Sequence, residues 1–277
     1  MIYPVLSRRS RGLSLGVNLF PDIKTCSFDC PYCEVFPFPE AGAFSAARLK
    51  AELSLFLDRE WSGTWAPEPI RDICISGNGE PSLSPHLEEA AAICIEARRA
   101  RPDLLGDSGL VIITNSTGFL REESRLVLSR AQDEGFELWA KLDGGTEAVF
   151  SRMARSPFTL KEMLEGIRGY AAEHPITIQT MLCAVDDWAP GDDDLRGYAE
   201  VVGALLEGGA LIPSIQLYTF ARPSPGGRCR ALPDSELARW AAELRRSLAG
   251  SGRGPGPGPG IAAFGARGLL PAEPERR

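Results

Sequence analysis

The chain lacks most of what several familiar functional classes require. It has only 2 histidines in 277 residues. His86 and His174 each sit beside a proline and read as surface or turn residues, and no second CxxC knuckle or Cys/His pair of the zinc-finger kind occurs. No run of 18 apolar residues occurs, which leaves nothing of the length and polarity of a membrane-spanning helix. Positive charge is not in excess: 37 acidic against 30 basic residues give a net charge of −7, with no basic stripe to advertise a nucleic-acid partner. That balance does not exclude a tRNA substrate. The first residues, Met1 to Arg9, place their charges after a very short apolar stretch, unlike a secretory signal, so a cytoplasmic location is expected. What remains is ordinary for a globular chain: 44% hydrophobic and 24% charged residues, enough to bury a core without disulfides.

Cysteine is present in an odd number, 7, with an uneven distribution. Cys26, Cys30 and Cys33 crowd together, whereas Cys74, Cys94, Cys183 and Cys229 are scattered. A clustered set without a secretion signal points to metal binding in preference to a disulfide framework.

Strand-length apolar runs alternate with helix-length amphipathic ones. Strands are expected at 13–19, 70–76, 110–114, 136–142, 176–183 and 212–220, and helices at 44–59, 84–99, 121–132, 147–153, 159–172, 193–206 and 234–248. Ser45 and Ser84 are the expected caps of the first two helices. Six βα units in series imply a parallel sheet covered by helices, and being fewer than eight they imply a partial (β/α)6 TIM-type barrel. This α/β domain is expected to span residues 1–249. Residues 250–260 alternate Gly and Pro and read as a linker, and 261–277 as a partly disordered tail with one apolar patch at 262–270.

The cysteine cluster reads Cys26-Ser27-Phe28-Asp29-Cys30-Pro31-Tyr32-Cys33 and follows the first expected strand. Loops at the carboxyl ends of parallel strands are where barrel enzymes place their sites. Three thiolates can hold three irons of a [4Fe–4S] cluster and leave the fourth open, which suits catalysis. Two other readings stay open at this point. A zinc site would be completed by His86 or a further cysteine, although no second knuckle exists. An electron carrier needs a fourth thiolate at a spacing that is absent.

CxxxCxΦC, with Tyr32 as the aromatic, resembles the signature of the radical S-adenosylmethionine (SAM) superfamily. The resemblance implies that Cys26, Cys30 and Cys33 bind a [4Fe–4S] cluster whose open iron is chelated by SAM. It further implies that SAM is cleaved to a 5′-deoxyadenosyl radical that takes hydrogen from a substrate. Ser76-Gly77-Asn78-Gly79-Glu80-Pro81 resembles the family's GGE motif. Together with Ser14 to Leu19, Lys24-Thr25-Cys26 and Ile215 to Pro223, it is similar to the wybutosine-synthesis-like branch of iron–sulfur oxidoreductases. The resemblance assigns cofactor contacts to Tyr32, Gly79, Glu80, Thr114, Asn115, Ser116 and Tyr218, and it implies a reductant such as flavodoxin or ferredoxin. Gln179, a polar group in an otherwise apolar strand, is expected to find its partner in a lumen that holds SAM and substrate. A plain tight turn at 76–81 and an Asx turn at 114–116 are the alternative readings of those motifs.

Lys141 and Asp143 share a strand face and are costly to bury alone, so they are expected either to pair or to meet a ligand. Catalytic roles are expected for Lys141, Asp143 and Cys183, the last as a hydrogen-donating thiol or as buried filler. Arg222 is expected to bind an acidic substrate or an acidic neighbour. Cys74 and Cys94 read as core. A small-molecule or peptide substrate is expected. A glycyl-radical-type activase acting on a partner protein, or a non-catalytic Fe–S or zinc module, are the alternative functions.

Overall fold

In a computed structural model, residues 1–35, 42–65, 68–222, 226–250 and 258–271 are described. They divide into two compact units, interleaved along the chain.

The first unit comprises Met1–Cys26, Pro37–Thr114 and Arg121–Leu138. Strand β1 (Ile2–Ser7) pairs antiparallel with β2 (Gly12–Asn18). Helix α1 (Ala46–Leu55) is capped by Ser45, whose side chain accepts from the Arg48 amide, and a π-helical stretch (Phe56–Trp65) follows it. Strand β3 (Ile70–Ser76) lies parallel to β2. Helix α2 (Leu87–Ala100) begins at Leu87 with His86 as its N-cap; Ser84, the cap expected from the sequence, instead accepts from the His86 amide at 3.2 Å. The short α3 (Pro102–Leu105), strand β4 (Gly109–Thr114) and helix α4 (Glu122–Asp133) follow. Helix α4 carries Glu122 and Glu123 in its first turn and Arg130 in its last, as the helix dipole favours. Strand β5 (Phe136–Lys141) starts in this unit and ends in the next.

The second unit comprises Ser27–Phe36, Asn115–Leu120 and Trp139–Arg277. Helices α5 (Glu147–Ala154) and α6 (Leu160–Ala171) are capped by Thr146 and by a Thr159–Glu162 capping box. Strand β6 (Ile176–Met181) is followed by the short β7 (Cys183–Val185), where the sequence suggested one strand. Helix α7 (Asp192–Glu207) leads to β8 (Ser214–Tyr218), parallel to β6. Strand β9 (Cys229–Ala231) pairs antiparallel with β7, and helix α8 (Asp234–Ser247) follows. Strand β10 (Gly260–Gly265) runs parallel to β8, and β11 (Gly268–Leu269) folds back on it.

Within the first unit the strands are hydrogen-bonded in the order β1-β2-β3-β4, and within the second in the order β6-β8-β10-β11. The six strands read from the sequence are β2 to β6 and β8, with the additional strands β1, β10 and β11 at the ends of these orders. Strand β2 is buried from Leu13 to Val17, the pattern of a parallel strand covered on both faces. At the far edge the expected linker and tail contribute β10, from Gly260 onward; residues 251–257 of the linker and 272–277 of the tail lie outside the described residues. No helix among the described residues is long and apolar enough to cross a membrane.

Candidate active site

The carboxyl ends of β2 and β3 are knitted together within the first unit. Asn18 Oδ1 accepts from the amides of Phe20 at 3.0 Å and Asn78 at 3.1 Å, and Asn78 Nδ2 donates to the Phe20 carbonyl at 3.3 Å. The lead-in to the cysteines then bridges the glycine motif: the Thr25 amide donates to Asn78 O at 3.2 Å and the Glu80 amide to Thr25 O at 2.8 Å. Gly77 has φ +120°, a conformation costly for any other residue. A Cβ on Gly79 would lie 2.0 Å from Thr25 O and 2.6 Å from the Phe20 ring. The glycines of the motif thus allow two backbones to touch just before Cys26. Glu80 is buried, and its Oε1 accepts from the Ser82 amide at 3.0 Å and from Thr114 Oγ1 at 2.7 Å. Glu80 and Thr114, two residues assigned to SAM by resemblance, are therefore joined to each other.

In the second unit the cysteine loop is held from three sides. Asn115 Nδ2 donates to Ser27 Oγ at 2.9 Å, while its Oδ1 accepts from the amide and hydroxyl of Thr117 at 3.0 and 2.7 Å. This is the Asx turn that was one reading of the Thr114-Asn115-Ser116 motif. Ser116 sits at φ +74° and donates to the Lys141 carbonyl at 2.9 Å. The Asp29 amide donates to Ala154 O at 3.1 Å, and Arg222 reaches Glu34 at 2.5 Å, so the acidic partner of Arg222 is within the protein. Replacing Asn115 with Ala removes one donor and two accepted bonds beneath the loop. The expected loss is about 1–3 kcal/mol, read from the denaturant midpoint at unchanged m-value.

The third anchor is a buried charge network. Tyr32 donates its phenol to Asp143 Oδ2, whose other oxygen accepts from the Met181 amide at 2.8 Å. Lys141 Nζ lies 3.3 Å from Asp143, donates to the Tyr218 phenol at 2.6 Å, and sits 4.8 Å above the Tyr32 ring. Lys141 and Asp143 therefore pair, one of the two outcomes expected. Burial alone would push the Lys141 ammonium down; Asp143, Tyr218 and Cys30 outweigh it and hold it above the usual lysine range. The Tyr32 phenol is raised well above its ordinary value, by burial first and by Asp143 next.

Gln179 and Gln216 face each other across β6 and β8 and share a 2.8 Å hydrogen bond. Cys183 is buried beside Cys229, in an apolar cluster with Tyr32, Met181 and Tyr218. Cys74 and Cys94 are buried, and burial pushes both thiols up to about 12, as suits core residues. His86 stacks on Phe44 at 4.6 Å and His174 against Tyr170 at 4.9 Å.

None of the three motif cysteines forms a disulfide; Cys26 is exposed, and Cys30 and Cys33 are half-buried. Among the described residues no three His, Cys, Asp or Glu side chains are gathered as a metal site. The chemistry of the donor set nevertheless fits an iron–sulfur cluster: soft thiols, uncommitted to disulfides, on one short tethered loop. Ser27, Thr117 and Asn18 are the supporting residues that sequence reasoning did not single out. Ser27 and Asn18 lie inside segments quoted for the resemblance, but nothing in a single sequence reveals partners so far away along the chain.

No family model matches the chain. Among curated proteins it is similar to UPF0026 proteins. One from Helicobacter pylori is 29% identical over 223 residues, covering 80% of this chain and 66% of that protein. One from Synechocystis sp. is 28% identical over 190 residues, covering 65% and 64%. The chain thus spans about two thirds of the length of these relatives. Among solved structures it is similar to a radical SAM methyltransferase from Sphaerobacter thermophilus, with TM-score 0.62 and 16% identity over 92% of this chain and 67% of the other. Two further likenesses are to anSMEcpe with bound AdoMet (TM-score 0.52, 14% identity, 85% and 60% covered) and to TYW1 with a lysine–pyruvate adduct bound (0.51, 15%, 84% and 72%). The chain has the fold of the radical SAM enzymes, as the cysteine motif led one to expect.

Proposed function

We propose that this protein is a radical SAM enzyme in which Cys26, Cys30 and Cys33 hold a [4Fe–4S] cluster. The observation that carries the reading is the placement of those three thiols, none of them in a disulfide. They lie on a tethered loop following the first parallel strand, in a chain with the radical SAM fold. When bound and reduced, such a cluster supplies the electron that splits SAM into methionine and a 5′-deoxyadenosyl radical. A flavodoxin or ferredoxin is the class of protein suited to deliver that electron.

The chain's own part is placement and shielding. Asn18 and Gly79 fix the approach to Cys26. Asn115 with Ser27, and Tyr32 with Asp143, fix the segment that carries Cys30 and Cys33. Glu80 and Thr114 in the first unit, and Asn115, Ser116, Gln179 on β6 and Tyr218 on β8 in the second, are the polar groups assigned to SAM. The paired Lys141 and Asp143 act first as positioning residues for the loop, and the Lys141 charge faces two tyrosine rings. The apolar cluster around Met181 and Tyr218 keeps water from a reactive radical.

Anaerobic reconstitution with iron and sulfide tests this. About four irons and four sulfides per chain are expected. They should be lost when Cys26, Cys30 or Cys33 is changed to Ala and retained in Cys94→Ala. Zinc bound in place of iron would overturn the proposal.

A further inference from the structure

Two cysteines outside the motif lie together beside the anchored loop. Cys183 opens β7 and Cys229 opens β9; the two strands pair antiparallel, with Cys183 opposite Ala231 and Cys229 opposite Val185. Cys183 and Cys229 are therefore diagonal neighbours on one face. Cys183 belongs to the apolar cluster of Tyr32, Met181 and Tyr218, against which Cys30 and Cys229 also pack. It lines a pocket with Asp143, Met153 and Trp188. Cys183 is wholly buried and Cys229 half-exposed. Neither forms a disulfide.

We infer that Cys183 and Cys229 form a hydrogen-donating relay that quenches a carbon radical at this site. The inference rests on the radical reading above and adds to it the source of the returning hydrogen. In the first step the Cys183 S–H bond breaks and a C–H bond forms on the radical carbon, leaving a Cys183 thiyl. Cys229 then passes its hydrogen atom to Cys183, so the thiyl moves to Cys229. There it takes one electron from an external one-electron reductant and one proton from water, which restores both thiols. The step is downhill because an S–H bond is weaker than an aliphatic C–H bond. The geometry suits the direction, from a buried donor facing the apolar site to a half-exposed partner that reductant and water can reach. Burial and the neighbouring Cys229 push the Cys183 thiol up, so it stays protonated and keeps a hydrogen to give.

The pair is tested first without cluster or SAM. In the full chain with Cys26, Cys30 and Cys33 changed to Ala, phenylarsine oxide, which bridges neighbouring thiols, should bind one equivalent. Cys229→Ser in that background should abolish binding. No binding before that change would overturn the pairing, whatever the chemistry of the cluster.

The relay is tested in the reconstituted protein with SAM and dithionite in D2O, where thiol hydrogens exchange for deuterium. With no other substrate, the 5′-deoxyadenosine formed should carry a deuterium, and Cys183→Ala should remove the label from whatever 5′-deoxyadenosine is made. Label persisting in Cys183→Ala, or absent from the unmodified protein, would overturn the relay and leave the radical reading standing. Failure to form any 5′-deoxyadenosine would overturn both.

Discussion

Asp143→Ala is expected to destabilise the protein by about 3–5 kcal/mol, the cost of leaving a buried charge without its partner. Asp143 is almost wholly buried and serves three groups at once: the Lys141 ammonium, the Tyr32 phenol and the Met181 amide. Truncation leaves the buried ammonium with the Tyr218 phenol but no counter-charge, and releases the tyrosine that precedes Cys33. Asp143→Asn retains an oxygen for the Met181 amide and removes only the charge, so it should recover part of the loss. Urea unfolding of both variants, followed at unchanged m-value, gives the comparison. A loss below about 1 kcal/mol for Asp143→Ala would show a pair that water already screens. The pH dependence has a fixed sign. Because the Lys141 value is raised on folding, its contribution is complete below the ordinary lysine range and disappears only as alkaline pH rises through the raised value.

Gly79→Ala is expected to be nearly as damaging, by a different route. The added methyl would meet a backbone oxygen, Thr25 O, at 2.0 Å, and the Phe20 ring at 2.6 Å. The ring can turn, but the carbonyl is held where it accepts from the Glu80 amide at 2.8 Å. Relief therefore requires the bridge between the glycine motif and the lead-in to Cys26 to open. Overpacking of this kind costs about 1–3 kcal/mol, or more where backbone must move. The variant should accordingly lose iron after reconstitution well before it unfolds. Unfolding and iron content unchanged from the original protein would show that the two segments are not rigidly coupled.

Most of the fold was legible because parallel strands announce themselves. Residues 110–113 are a continuous apolar run and residues 73–75 a shorter one within Ile70–Ser76, and the helix between them carries the period of a one-sided face. The edges of the sheet were not legible. Strand β1 contains Pro4 and stays partly exposed, as an edge strand does, and in the sequence it is only a very short apolar stretch ahead of charges. Strand β10, Gly-Ile-Ala-Ala-Phe-Gly, follows a Gly/Pro run and lacks the β-branched density of the central strands. Strands β7 and β9 are three residues each, and only their pairing defines them.

The candidate site divides in the same way. The cysteines, the glycine motif and the Lys141–Asp143 face were visible because spacing and alternation are local properties. What those residues touch was not. The Asn78 amide meets the Asn18 side chain, and the Asn115 side chain meets Ser27, across long sequence separations, and hydrogen bonds made by small polar side chains leave no periodic trace. Glu80 shows the consequence. The motif alone offers an acceptor for a ligand, whereas the folded chain has it cap its own turn and hold Thr114.

The central claim is the cleavage of SAM, and it is tested most directly by anaerobic assay of the reconstituted, dithionite-reduced protein for 5′-deoxyadenosine. The account predicts that 5′-deoxyadenosine and methionine appear, and that Cys30→Ala abolishes both. 5′-Deoxyadenosine formed at the same rate by Cys30→Ala would contradict it.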